Sequence, residues 1–387
     1  MLANCLKTAA SLLAATALWT AASVHAQIVV GGGSPVPQPL YETLMPSGVG
    51  LTSFSYTGIG SNGAKQAFLD NNATSLNNES LAARPAWSSI QSVHFAAGEA
   101  PLNAVELSNY NMLHGLDWGP LAQLPALALP VLLPFKRTGL ASLNLGTAKM
   151  CALFASKPGG QTWGQLLSTS DPTPVKLVYR TDTNGLTEAL SRYLVNACPA
   201  GGFTVSNNFA TMVGGALPGG TIPSQWVAVS GDSAMAAAMT ADGRIGYLAP
   251  NASFTGTSPA VVAQINGTLP VTSAIQAALA TQPLPAGAAN NPMSWLPPYA
   301  TPAPGTTYPI VALSGVLINQ CYRDAVVQTR LRNFLNGFYG LASLPSPYIA
   351  LPAAWRSTIA STFLAGGGPL SVGNVSVCNA IGRPLQN

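Results

Sequence analysis

Charged residues are scarce in this chain: they make up 7% of its 387 positions, against about 25% in an average soluble protein. The 16 Lys and Arg residues are scattered, and none of them forms a basic block of the kind that binds nucleic acid. We therefore expect no nucleic-acid partner. Solubility must therefore depend on uncharged polar residues. Because charged residues are so few, any charged side chain near a cleft is a candidate functional residue.

Histidine is also rare, with three in the chain. No group of His and carboxylate residues has the spacing of a metal site. The G-x-S-x-G motif that an α/β-hydrolase needs is absent as well. We therefore assign no catalytic residue and no metal ligand, and we expect no cofactor. Whether the protein is an enzyme stays open, with a non-enzymatic role favoured.

Long apolar runs are missing after the N-terminal region, because Pro, Gly or polar residues interrupt each candidate before it reaches about 18 residues. We therefore expect no transmembrane segment in the mature chain. Residues 1–26 have the pattern of a secretory signal peptide: Lys7 precedes an apolar stretch, and Val24-His25-Ala26 is a small-residue cleavage site. This predicts a periplasmic or secreted protein.

Cysteines are few, and Cys5 would leave with the signal peptide. The four that remain are an even number in an exported chain, which argues for two disulfides. Four cysteines allow three pairings, and their spacing favours Cys151–Cys198 and Cys321–Cys378 as local pairs. A zinc site is the rival interpretation, but no C-x-x-C pair or nearby histidine supports it.

Short apolar strands alternate with helical segments along the chain, which predicts an open α/β sheet with functional groups at the strand ends. One strand, Ile28–Val30, runs into Gly31–Gly33, where the glycines permit either a close approach of the backbone or a tight turn. After a second strand, Ser61 is placed to cap a helix that ends near Leu69.

Two apolar extended segments, Leu124–Pro134 and Tyr308–Ile318, have the same character, and the first contains too many prolines for a helix. We expect them to cross between two domains, one outward and one returning. Lobe I would then comprise residues 27–123 and 312–387, and lobe II would comprise residues 124–311.

An arginine stands at the end of a buried strand and shortly before a helix. The strand is Leu177–Tyr179, the arginine is Arg180, and the helix begins at Asn184-Gly185 and runs to about Cys198. The first turn of a helix offers unpaired N–H groups and a partial positive charge. A guanidinium beside it adds a full charge and a bidentate fork, so this stretch predicts an oxyanion site.

Blocks along almost the whole mature chain resemble the DING family, which consists of exported proteins related to the phosphate-binding component of phosphate ABC importers. The blocks occur in family order: Gly31–Tyr41, Gly58–Ser61, Val93–Ala96, Trp163, Val178–Arg180, Gly243–Tyr247 and Val377–Leu385. The Asp-Ile-Asn that gives the family its name is absent. The resemblance implies a two-lobed class II periplasmic-binding-protein fold with two hinge strands that closes on phosphate. It also supports the two disulfide pairs.

The phosphate ligands of the family carry over only in part. This chain keeps the family's Ser, Arg and Gly as Ser61, Arg180 and Gly185, and the family's Asp becomes Glu99. The family's Thr-Leu pair becomes Pro35-Val36, and the Ser and Thr at the helix start become Asn184 and Leu186. The implied ligand set is therefore Val36, Ser61, Glu99, Arg180, Asn184, Gly185 and Leu186.

These substitutions matter energetically. Pro35 lacks both a hydroxyl and an N–H group, and Leu186 retains only its backbone N–H. A hydrogen bond to a charged group is worth roughly 1.5–3 kcal/mol, so losing two or three donors would cost ~4–8 kcal/mol. A micromolar site has only about 8 kcal/mol in total. Asn184 can compensate because its amide also donates, and Glu99 can still accept the proton of hydrogen phosphate.

The sequence thus predicts a secreted or periplasmic solute-binding protein that captures inorganic phosphate or a similar oxyanion, with an ABC permease as partner if the role is uptake. Two alternatives stay open. One is a secreted protein of the same fold whose pocket has lapsed and which acts through surface or adhesion contacts. The other is a secreted alkaline phosphatase. At residue level, Arg180 could instead pair with Asp182 or Glu188, Ser61 could only cap its helix, and Glu99 could be a solvated loop residue.

Overall fold

The structure is a computed structural model that describes residues 28–45, 47–48, 51–52, 54–76, 92–155, 160–282, 290–296 and 307–385. The expected signal peptide and its cleavage site lie outside these residues. Among the helices that are described, none combines the length and apolar character needed to cross a bilayer.

The described strands form two main sheets. In chain order the strands are β1 (Val29–Gly33), β2 (Ser47–Gly48), β3 (Leu51–Thr52), β4 (Phe54–Thr57), β5 (Phe95–Gly98), β6 (Leu121–Pro130), β7 (Phe135–Lys136), β8 (Asn144–Leu145), β9 (Lys176–Arg180), β10 (Val227–Val229), β11 (Arg244–Ile245), β12 (Gln264–Ile265), β13 (Val311–Asn319) and β14 (Ile349–Ala350). The six-stranded sheet has the order β14-β6-β13-β5-β1-β4, and the four-stranded sheet has the order β10-β9-β11-β7.

Helices connect and cover these sheets. The α-helices are α1 (Gln38–Leu44), α2 (Ser61–Leu69), α3 (Ala104–Trp118), α4 (Thr147–Phe154), α5 (Trp163–Leu167), α6 (Gly185–Ala197), α7 (Phe209–Val213), α8 (Asp232–Ala238), α9 (Thr272–Ala280), α10 (Pro292–Trp295), α11 (Ala325–Gly340) and α12 (Ala353–Ile359). The predicted helix start at Asn184-Gly185 is confirmed, with Asn184 as the N-cap of α6.

Each of the two sheets contains three neighbouring parallel strands. Strand β1 pairs in parallel with β4 and β5, and β9 pairs in parallel with β10 and β11. The carboxyl ends of neighbouring parallel strands meet at one edge of a sheet, and this edge is where α/β proteins place their functional groups. The fold therefore collects the residues that follow β1, β4 and β5, and separately those that follow β9 and β10.

Both predicted crossing segments overlap with long strands, β6 and β13, which pair antiparallel with each other and are buried throughout. Beyond Pro130 the chain continues towards the four-stranded sheet, where Leu132 forms an isolated bridge with Leu248. The lobe boundaries at 123/124 and 311/312 remain a prediction.

The three glycines lie inside strand β1 and not in a turn. A Cβ atom at Gly31 would lie 2.4 Å from the ring of Phe95, and one at Gly33 would lie 1.8 Å from the carbonyl oxygen of Ala97. Of the two roles that the sequence allowed, the close approach is therefore correct. The partner that approaches is the neighbouring strand β5.

Both predicted disulfides are present. Cys151–Cys198 joins α4 to the residue that follows α6, and Cys321–Cys378 joins the end of β13 to the C-terminal segment. The first therefore ties the C-terminal end of the helix that begins at Gly185 to α4.

Candidate functional site

Polar residues, among them three of the predicted site residues, lie where parallel strands end. In the six-stranded sheet, Ser34 follows β1, Ser61 comes after β4 and Glu99 directly follows β5. In the four-stranded sheet, Arg180 is the last residue of β9, and Asp232 comes shortly after β10. The fold thus offers hydroxyl and carboxylate groups from one sheet and a guanidinium from the other.

Glu99 is a buried carboxylate, with 7% of the residue exposed. Its Oε2 atom accepts a hydrogen bond of 2.9 Å from the Ser61 hydroxyl, while Oε1 is buried without a hydrogen-bond partner among the described residues. Burial raises the pKa of Glu99, the hydroxyls of Ser34 and Ser61 oppose this rise, and the negative charge of Asp232 adds to it. The solvated-loop interpretation of Glu99 is therefore wrong. The Ser34 hydroxyl lies near enough to stabilise the carboxylate but forms no hydrogen bond to Oε1.

Ser61 does not cap its helix, in contrast to the prediction. The N-cap of α2 is Gly60, whose φ of 95° favours glycine, and no side chain caps this end. The Ser61 hydroxyl also accepts a 3.1 Å hydrogen bond from the backbone N–H of Glu99. Its role in the structure is therefore to hold Glu99 in place.

Arg180 is almost completely buried, with 4% of its side chain exposed. Its Nε atom donates a 2.8 Å hydrogen bond to Oδ1 of Asp182, and its Nη2 atom donates to Oδ2 of the same residue. The remaining nitrogen, Nη1, donates to Oδ1 of Asp232 at 2.5 Å. Burial lowers the pKa of the guanidinium, but these two ion pairs outweigh burial and leave the pKa raised. The pairing with Asp182 that the sequence allowed is therefore present, whereas Glu188 pairs with Arg192.

Those contacts use three of the five N–H donors of the guanidinium. Sequence reasoning offered Asp182 as a partner of Arg180 but gave no role to Asp232. Asp182 lies only two residues away, whereas Asp232 lies 52 residues away. The Asp232 contact comes from the pairing of β9 with β10, which no local pattern reveals.

The start of α6 faces the six-stranded sheet. A Cβ atom at Gly185 would lie 2.4 Å from Cβ of Glu99, so the strand ends of the two sheets meet here. A cavity of about 30 Å³ lies beside this contact and is lined by residues that include Glu99, Gly185, Arg192 and Leu313. That volume suits water and not a larger ligand.

Two backbone donors of the predicted ligand set are already used. The N–H of Leu186 donates to Oδ1 of Asn184 at 2.8 Å, and the Leu186 side chain is packed in the hydrophobic core. The N–H of Val36 donates to the Ser34 hydroxyl at 3.3 Å. An anion would have to replace these bonds in order to use either donor.

Comparison with known proteins identifies the family. A family profile described as "PBP superfamily domain" matches residues 20–339. A Pseudomonas aeruginosa PAO1 protein named Alkaline phosphatase L is 37% identical over 388 residues, which cover 96% of this chain and 99% of that protein. The crystal structure of PfluDING, a high-affinity periplasmic phosphate-binding protein bound with phosphate, is 31% identical, with a TM-score of 0.79 and coverage of 92% and 100%.

The chain belongs to the DING family. A phosphate-binding protein from Stenotrophomonas maltophilia is 30% identical, with a TM-score of 0.76 and coverage of 92% of this chain and 100% of its own. The two-lobed α/β periplasmic-binding-protein fold expected from the sequence is thereby confirmed.

In this DING protein, Ser61, Glu99 and Gly185 contact one another, while Arg180 is held by Asp182 and Asp232. The two groups are related through Asp232, whose negative charge acts on Glu99. Asn184 and Leu186 stand at the start of α6, and Val36 lies on the loop after β1 beside Ser34. No group of three or more His, Cys, Asp or Glu residues with metal-binding geometry occurs in the described ranges. The role of each residue as an anion ligand remains a prediction.

Proposed function

We propose that this protein is an exported solute-binding protein that captures inorganic phosphate, or an oxyanion of similar shape, between its two lobes. The observation that carries the proposal is the contact of Glu99 with Gly185 at the start of α6, in a site whose guanidinium is the buried Arg180. A positive group, a helix start and a proton acceptor together suit an oxyanion that carries a proton.

Glu99 supports phosphate over sulfate. Its Oε1 atom is buried without a partner among the described residues, and a buried acceptor is costly unless a donor reaches it. Hydrogen phosphate has an O–H group that can donate to this atom, whereas sulfate at neutral pH has none. We therefore expect phosphate and arsenate to bind, and sulfate to bind much more weakly.

Binding between the lobes would require them to separate, because Glu99 and Gly185 are in direct contact. We propose that the chain segments that continue from β6 and lead into β13, two strands that pair with each other, act as the hinge of this motion. The phosphate-binding relatives support a periplasmic or secreted location. If the role is uptake, the closed form would deliver its anion to an ABC permease.

Calorimetric titration of phosphate-free protein with phosphate, arsenate and sulfate tests the proposal. We expect saturable heat with phosphate and arsenate at 1:1 stoichiometry and a much weaker response to sulfate. Absence of heat with all three, confirmed by equilibrium dialysis, would contradict the proposal. That outcome would favour the alternative of a lapsed pocket in a protein that acts through its surface.

Phosphomonoester hydrolysis is a second candidate function. It is favoured by the name of the Pseudomonas aeruginosa relative, Alkaline phosphatase L, and by the hydrogen bond between the Ser61 hydroxyl and Glu99, a pairing that suits a nucleophile and its base. Release of p-nitrophenol from p-nitrophenyl phosphate at alkaline pH tests it. Loss of activity in both Ser61→Ala and Arg180→Ala would support this function, and activity that persists in both would trace to a contaminant or another site.

A further inference from the structure

One carboxylate in the site belongs neither to the predicted ligand set nor to the strand that carries the guanidinium. Asp232 is the first residue of α8, and its Oδ1 atom accepts from Nη1 of Arg180 at 2.5 Å. Its side chain is 34% exposed, whereas that of Arg180 is 4% exposed. Asp232 therefore lies on the more open side of a buried cation.

Asp182 already supplies the counter-ion that a buried guanidinium needs. It binds Arg180 through both oxygens, and its Oδ1 atom also accepts from the backbone N–H of Gly231 at 3.1 Å. The positive charge is thus balanced before Asp232 is counted. Asp232 adds a second negative charge beside a guanidinium whose positive charge Asp182 already balances.

A carboxylate on a guanidinium nitrogen makes the same contact that an oxyanion would make. Carboxylate and phosphate oxygens accept from arginine in similar charge-assisted geometry. The negative charge of Asp232 also reaches Glu99, the proposed proton acceptor. Asp232 is therefore close to both groups that would hold the anion.

We propose that Asp232 is an internal competitor for the oxyanion, whose carboxylate occupies Nη1 of Arg180 in the unliganded protein and is displaced when the anion binds. This inference rests on the proposed oxyanion-binding function. It explains how a chain that keeps the family's arginine would bind more weakly than the family site implies. Asp232 then sets the affinity of the site without contacting the bound anion.

A purely structural role for Asp232 makes a different prediction. An aspartate in the first turn of a helix stabilises that helix through its dipole. Replacing it would then lower the stability of the protein and leave anion affinity unchanged. Affinity and stability measured on the same variants therefore separate the two roles.

The experiment is calorimetric titration of phosphate into wild type, Asp232→Asn and the control Asp242→Asn. Asp242 also pairs with an arginine, Arg137, so the control removes a comparable charge away from the cleft. We expect Asp232→Asn to bind phosphate about tenfold more tightly or better, and Asp242→Asn to match wild type. Phosphate binding that is detected for Asp232→Asn but not for wild type or Asp242→Asn would also support the proposal.

Equal or weaker binding by Asp232→Asn, with wild type binding normally, would overturn this inference and leave the proposed function intact. Absence of binding in all three proteins would overturn both.

A second variant adds a readout that helix stabilisation would not change. In Asp232→Ala, free formate can occupy the position of the missing carboxylate. We expect added formate to weaken phosphate binding by Asp232→Ala and to leave wild type nearly unaffected. An equal effect of formate on both proteins would count against competition at Arg180.

Discussion

Gly185 and Glu99 touch across the two sheets: a Cβ atom added at Gly185 would lie only 2.4 Å from Cβ of Glu99. Real Cβ atoms do not approach so closely, so residue 185 must be glycine for this contact to form. The requirement comes from space and not from backbone conformation, since Gly185 is the first residue of helix α6. A single missing methyl group thus allows the site to close.

We expect Gly185→Ala to weaken phosphate binding about tenfold or more and to destabilise the closed form by about 1–3 kcal/mol, the usual cost of overpacking. Gly337→Ala is the matched control, because Gly337 lies within helix α11 and a Cβ atom there would have no neighbour within 4 Å. The control should raise stability by about 0.4–1 kcal/mol. Calorimetry and urea unfolding measure both quantities.

Gly185→Ala with wild-type affinity and stability would show that the contact does not govern closure. Equal losses in Gly337→Ala would point to a general effect of the substitution.

The buried carboxylate predicts a pH-dependent stability. Burial raises the pKa of Glu99 above its unfolded value, so at pH values between the two pKa values the folded state holds a proton that the unfolded state has lost. Stability is therefore unaffected at pH values below the unfolded pKa and is lost as pH rises through the folded pKa. We expect Glu99→Gln to gain stability relative to wild type as pH rises above the ordinary glutamate pKa of 4.5, as measured by urea unfolding.

Glu42→Gln is the control for that series, because Glu42 is an exposed glutamate that accepts from Gln38. A gain that is independent of pH, or one that Glu42→Gln shows equally, would contradict burial as the cause.

The two disulfides should contribute separately to stability. They connect residues 47 and 57 positions apart, and loops of this size predict about 4 kcal/mol from each bond through loss of unfolded-state entropy. We expect the Cys321→Ser/Cys378→Ser double variant to lower the free energy of unfolding by about that amount. Chemical denaturation under non-reducing conditions measures it, and a loss below about 1 kcal/mol would be inconsistent with this account.

Short-range signals made much of this protein predictable. The strand before Arg180 and the helix start after it follow from residues within a dozen positions, because an apolar run and an Asn-Gly pair define them locally. The N-cap role of Asn184 is equally local, and it explains why the Leu186 N–H is already used.

Contacts between distant residues were beyond sequence reasoning. The Ser61–Glu99 bond spans 38 positions, and it depends on how the ends of β4 and β5 are placed around β1. The predicted helix cap at Ser61 was wrong because the positive φ of Gly60 begins the helix one residue earlier. The Asp232–Arg180 pair likewise required the register of β9 with β10.

Arg180 and Arg137 form a natural pair for testing the central claim. Each arginine is held by two aspartates, Asp182 and Asp232 for the first, and Asp171 and Asp242 for the second. Only Arg180 belongs to the proposed anion site. Because Arg180→Ala leaves two carboxylates unpaired, Arg180→Lys serves as a second variant that keeps the charge and loses the fork.

The decisive measurement is calorimetric titration of phosphate into phosphate-free wild type, Arg180→Ala, Arg180→Lys and Arg137→Ala, after circular dichroism has shown that each protein is folded. We expect Arg180→Ala to lose affinity about a hundredfold or more, Arg180→Lys to lose less, and Arg137→Ala to bind like wild type. Phosphate binding that survives unchanged in both Arg180 variants would contradict capture of the anion by this guanidinium.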